Sequence, residues 1–173
     1  MRVLVTGPTN PVGAAVVRAL SQAGHTVRAF GIEPGQNPFS GLASVETFPG
    51  QAELGGSLEP ALSECRALVH CANLDDPGKG RRAHAIRIER GTLYARYGAE
   101  RELVDRFVAL FPAHPDKAWG KALAQAEAHV RATRPTVPYV LLHVEGPEAA
   151  ANEVMALLGQ ARPGMPAAVA ASR

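Results

Sequence analysis

Cysteine is scarce in this sequence, aromatic residues are sparse, and no long apolar run occurs. Its 173 residues include two cysteines, Cys65 and Cys71, whose spacing of six matches neither a CxxC pair nor a zinc ligand set. That excludes a disulfide framework, and Cys71, at the end of an apolar run, reads as a buried small hydrophobe. No two ligand-type residues share a helix face at i, i+4 spacing, so no metal is expected. No stretch approaches the ~20 apolar residues of a membrane span, and "MRVLVTG" lacks the apolar segment of a signal peptide. The expectation is a cytoplasmic protein with no membrane partner. A formal charge of +2, with aromatics at 5%, leaves no basic stripe for nucleic acid. The densest basic spot, Arg81-Arg82, reads as a solvated helix start.

What is present is an ordinary globular composition, 46% hydrophobic with scattered charge, in a chain long enough for one core. Its Ala-, Arg-, Gly- and Pro-rich usage points to a high-GC bacterial source. Short β-type runs alternate with longer helical ones. "RVLVT" (2–6) reads as a first strand. A helix follows from Pro11, capped by Asn10 and closed by Gly24. Further strands are expected at 26–30, 44–48, 67–72, 106–111 and 139–144. Helices are expected at "SLEPALSEC", at 82–104, at 116–133 and at "PEAAANEVMALLGQ". This alternation predicts an α/β fold, a Rossmann-like doubly wound parallel sheet in a single domain over 1–160, with a frayed tail over 161–173. Ligands of such a sheet sit outside the carboxyl ends of the strands, at the switch point.

The order of segments resembles the short-chain dehydrogenase/reductase superfamily, in its extended branch of NAD-dependent epimerases and dehydratases. "VLVTGPTNPVG" stands where that family has VLVTGxxGxxG, and "AGHTVRAF" matches the passage into strand two. "SLEPALSECRALVHCAN" follows the family's SLxxALxGCDxVVHxAA, and "ERGTLYARYGAERELVDRFVALF" keeps the GT pair and the Arg-Phe-Val of strand five. The resemblance covers roughly residues 1–147. It implies an NAD(P) site and four chemical requirements, each of which the sequence departs from.

The phosphate cradle keeps Gly7 and Gly13, but Asn10 replaces the middle glycine, and Pro8 and Pro11 remove two amides. "TNP" therefore reads as a loop repaired for helix capping after release from phosphate. The adenosine ribose anchor is displaced: Gly31 and Ile32 hold the expected positions, with Glu33 slightly beyond as a ribose partner or a solvated turn residue. Gln51 stands where an acid is expected near strand three. Phe111-Pro112 replaces the catalytic Ser/Thr. In place of YGxSKxxxE the chain has "WGKALAQAE", so Trp119 replaces the catalytic tyrosine and Leu123 the lysine. An indole donates a hydrogen bond but does not exchange a proton near neutral pH. Lys121 is two residues off, about 200° around the helix from Leu123. Against the family's C-terminal substrate region the chain is short after "LLHVEGPEAA", so the resemblance implies a truncated, degenerate member.

Polar residues nonetheless gather at predicted strand ends. Asn73, Asp75 and Trp119 are the expected ligand-pocket residues. His114, His143, Glu145 and Asp76 are the candidate catalytic groups of a cofactor-free isomerase, dehydratase or cyclase. Each has a structural alternative. Asp75-Asp76-Pro77-Gly78 is a good turn, His114-Pro115-Asp116 a helix start, and His70 a satisfied buried histidine. The resemblance further implies a homodimer through the helices after strands four and five, where Tyr94, Tyr97, Gly98 and an Ala118, Ala122, Ala126 ladder stand. The ladder packs equally well against its own sheet. The leading expectation is a non-redox protein binding a small-molecule ligand or a pathway protein, with no cofactor and with Gly7, Asn10, Gly13 and Glu33 as a degenerate NAD(P) site. The cofactor-free enzyme is the alternative, and a residual NAD(P)-dependent epimerase or reductase the third reading.

Overall fold

A computed structural model describes residues 1–56, 58–74 and 80–159. Six parallel strands form one sheet in the order β3-β2-β1-β4-β5-β6. They are β1 (Arg2–Thr6), β2 (Thr26–Phe30), β3 (Val45–Phe48), β4 (Ala67–His70), β5 (Arg106–Pro112) and β6 (Tyr139–Val144). The helices are α1 (Pro11–Gln22), α2 (Leu58–Leu62), α3 (Arg81–Arg101), α4 (Gly120–Arg131) and α5 (Pro147–Gly159). The doubly wound parallel sheet expected from the sequence is the fold observed.

Strand alternation builds two cores. On one face Leu4, Leu68, Phe107, Ala109 and Phe111 pack with residues of α2, α3 and α4. On the other, Val3, Val5, Val69, Val108 and Leu110 meet α1 and α5. Successive residues of a strand point to opposite faces, so an unbroken apolar run such as that of β5 serves both layers. The strand order reverses between β1 and β4. Chain connections diverge there and open a crevice beyond Thr6 and His70.

Element ends differ from the sequence expectation where the backbone turns left-handed. α2 stops at Leu62, and Glu64 has φ 62°. α3 runs to Arg101 rather than 104, because Leu103 adopts φ 50° and the Val104 amide donates to the Ala99 carbonyl. That bond closes a Schellman-type end with leucine where glycine is usual. α4 opens at Gly120, four residues later than expected. Asp116 instead shapes a preceding turn, accepting from the Ala118 amide on its carboxylate and from the Trp119 amide on its carbonyl. The alanine ladder is divided: Ala122 and Ala126 are buried in the chain's own core, whereas Ala118 precedes the helix and is exposed. Gly98 likewise faces inward, since a Cβ there would lie 2.6 Å from Leu62 Cδ1. The tail expected over 161–173 lies outside the described residues.

Candidate functional site

The site is built outward from the end of β1. Gly7 turns with φ 64°, and a Cβ on it would lie 2.7 Å from the backbone of Ala72, so no larger residue fits. Gly13 is under still tighter constraint: a Cβ there would meet the Gly7 carbonyl oxygen at 2.0 Å. These glycines hold α1 against the loop and the β4 end against both.

Asn10 links the same parts. It is the N-cap of α1, its Oδ1 accepting from the Gly13 amide at 2.7 Å, and Pro11 occupies the first helical position. Its Nδ2 donates to the Cys71 carbonyl at 2.9 Å. The side chain is thus buried and turned away from solvent, because two inward hydrogen bonds outweigh any outward rotamer. Both polar atoms of the Asn10 side chain are thereby engaged within the protein. The capping role expected of it is the one observed.

In front of the loop lies a cavity of about 420 Å³. Gly7, Pro8 and Thr9 form one wall, Gly31 and Glu33 after β2 another, and Gln51 and Glu53 after β3 a third. Arg87, from the second turn of α3, closes the side beyond Ala72. Among the described residues Arg87 has no carboxylate partner; its Nη2 lies 3.4 Å from His84 Nδ1.

Beneath the crevice runs a buried polar chain. Thr6 Oγ1 lies 2.7 Å from His70 Nδ1, and His70 Nε2 lies 3.2 Å from Thr92 Oγ1. Thr92 donates toward Asn73 Oδ1 and the Ile88 carbonyl, both at 2.9 Å, and Asn73 Nδ2 donates to the Leu110 carbonyl. A neutral His70 carrying its proton on Nε2 satisfies both threonines, since Thr92's own proton is directed to the carbonyl-type acceptors. Full burial pushes the His70 pKa down to about 4, with the Asn73 side chain opposing that shift. His70 is a structural histidine that ties β1, β4 and α3 together.

A second cavity, about 190 Å³, opens on the other side of Asn73. It is walled by Asn73, His84, His114, Asp116, Trp119 and Leu123, among others. The ring of His84 meets Trp119 edge-on at 4.7 Å. Here the expected pocket residues Asn73 and Trp119 do come together with His114. His143 and Glu145 stand elsewhere: the half-exposed His143 Nε2 pairs with Glu127 Oε1 of α4 at 2.8 Å, and Glu145 is exposed. Neither lines this cavity or the crevice. Asp75 and Asp76 lie outside the described residues. No cluster of three or more metal-ligating side chains exists among the described residues.

The sequence reading did not single out His84, Arg87 or Glu53. The first two stand three apart near the start of the helix after strand four, hence on one face, and that spacing was the available signal.

No protein-family model matches the chain, and a search of curated proteins returns no match. Solved structures do match. WbmG of Bordetella bronchiseptica, in complex with NAD and UDP, superposes with a TM-score of 0.71 at 19% identity, over 83% of this chain and 52% of its own. A short-chain dehydrogenase/reductase superfamily protein from Agrobacterium tumefaciens with bound NAD gives 0.69 at 25% identity, over 83% and 48%. The fold is that of the short-chain dehydrogenases/reductases. The oxidoreductase ylbE from Lactococcus lactis matches with a TM-score of 0.74 at 15% identity, over 91% of this chain and 85% of its own. The chain spans about half the length of the first two structures. The matching structures include ones with bound NAD, and the glycine-lined cavity lies beyond the carboxyl ends of β1, β2 and β3, where ligands of doubly wound sheets generally bind. Trp119 and Leu123 both line the smaller cavity.

Proposed function

We propose that this chain is a non-redox member of the short-chain dehydrogenase/reductase superfamily that holds a nucleotide-class ligand in the larger crevice. The observation that carries the reading is the division between the two cavities. The crevice keeps its glycines and its opening, whereas the second cavity has Trp119, Leu123 and Pro112 where proton transfer would need a phenol, an ammonium and a hydroxyl. The adenosine half of NAD suits the crevice walls, with Glu33 able to accept from ribose hydroxyls. Bound there, NAD would supply hydride chemistry, but no side chain at the Trp119 and Leu123 positions moves the accompanying proton. Pro8 and Pro11 carry no N–H, so the loop offers fewer donors to phosphate.

The test is a calorimetric titration with NAD, NADH, NADP and NADPH, followed by an absorbance assay for nicotinamide turnover with nucleotide-sugar and carbonyl substrates. Binding without turnover is the expected result. Turnover would overturn the non-redox reading. Absence of binding at millimolar nucleotide would overturn the crevice reading and favour a protein partner.

A second reading, cofactor-free proton transfer, rests on His114, Asp116 and the buried His84 sharing one small cavity. It requires loss of any turnover in His114→Ala. A homodimer is part of the same proposal; its support is the outward face of α3, where Ile86 and Tyr97 remain exposed.

A further inference from the structure

The crevice carries charge of both signs. Glu33 and Glu53 line it from the segments after β2 and β3, and Arg87 lines it from α3, the helix against which the Glu53 segment packs. Arg87 is half-buried and without an ion-pair partner among the described residues, although seven of the chain's other arginines are engaged with carboxylates there. A guanidinium left unpaired on a cavity wall is a ready anion receptor, because its planar fork of donors fits phosphate oxygens. The β1–α1 loop explains why one is needed. Pro8 and Pro11 have no amide hydrogens, and the Gly13 amide is committed to Asn10 Oδ1.

We propose that Arg87 is the phosphate anchor of this crevice, a side-chain cation serving where the β1–α1 loop has lost amide donors, and that the ligand is a nucleoside 5′-phosphate with its sugar hydroxyls toward Glu33 and Glu53. This rests on the crevice reading above. The carboxylates accept from sugar hydroxyls and repel phosphate, and the guanidinium takes the phosphate, which orients the ligand. Arg87 is a binding residue in this scheme, and His84, at 3.4 Å from its Nη2, positions it.

The experiment compares adenosine with AMP on the full chain by calorimetry, at low and high salt, for the wild type, Arg87→Ala and Arg87→Lys. The wild type is expected to bind AMP at least about tenfold tighter than adenosine, with the advantage shrinking as salt screens the pair. Arg87→Ala is expected to lose that advantage while adenosine affinity holds, and Arg87→Lys to recover part of it. If the wild type binds adenosine and AMP equally, the anchor is wrong and the crevice reading stands. If Arg87→Ala keeps the AMP advantage, some other donor holds the phosphate and the anchor again falls. If neither probe binds, the crevice reading falls and carries this inference with it. The wild-type comparison needs no variant, so a poorly folding Arg87→Ala leaves the test intact.

Discussion

Asn10 performs two tasks with one side chain, capping α1 through Gly13 and tying the loop to the Cys71 carbonyl of the neighbouring chain segment. Replacing it with alanine leaves both partners without their bond. Asn10→Ala is expected to cost about 2 kcal/mol, the upper end for a lost cap, measurable as a shifted urea midpoint with an unchanged slope. A change in slope would mean that the loop had rearranged. The capping half of this role was legible in "TNP", because Asn followed by Pro is a local signal. The tether to Cys71 was not, since it joins residues 61 apart in sequence and depends on the strand order. A residue's type was readable, but the direction of its side chain was not.

At the scale of elements, the apolar faces of the helices are supplemented by close approaches. A Cβ on Gly98 of α3 would lie 2.6 Å from the Leu62 side chain of α2. A Cβ on Gly120, the first residue of α4, would meet nothing within 4 Å. Gly98→Ala is expected to destabilise by about 1–3 kcal/mol as α2 and α3 separate or Leu62 leaves its rotamer. Gly120→Ala is expected to be neutral or stabilising by about 0.5 kcal/mol, because it only restricts the unfolded chain. Paired chemical denaturation curves check both, and equal effects would refute the packing account. The existence and type of these elements followed from apolar periodicity. Their ends did not, because Glu64 and Leu103 adopt left-handed backbone without the glycine that signals it.

For the whole molecule, the decisive element is the buried chain from Thr6 through His70 to Thr92, which joins the centre of the sheet to α3. Burial lowers the His70 pKa from 6.5 to about 4. Between those values the unfolded chain binds a proton that the folded one refuses. Stability contributed by the neutral histidine is therefore fully present above pH 6.5 and is lost as pH falls toward 4, by about 3 kcal/mol in total. Urea unfolding at pH 7 and pH 4.5 should show that loss in the wild type and a smaller one in His70→Asn. A slope that survives in the variant unchanged would assign the effect to other groups. His25, whose pKa is also lowered by partial burial and by the N-terminal charge, accounts for part of any remainder. The sequence indicated a satisfied histidine in strand four, and His70 is one. Its partners were out of reach, because they come from two elements distant along the chain. The same limit kept His84 and Arg87 out of view, because the cavities they line are assembled from segments distant along the chain.

Trp119 is the only tryptophan in the protein, and it stands edge-on to His84 on the wall of the smaller cavity. His84 in turn touches Arg87 on the crevice wall. The molecule thus carries a built-in fluorophore beside an imidazole that links its two cavities. Emission from that single indole reports on events in either one, without labels and without the ambiguity of a second emitter.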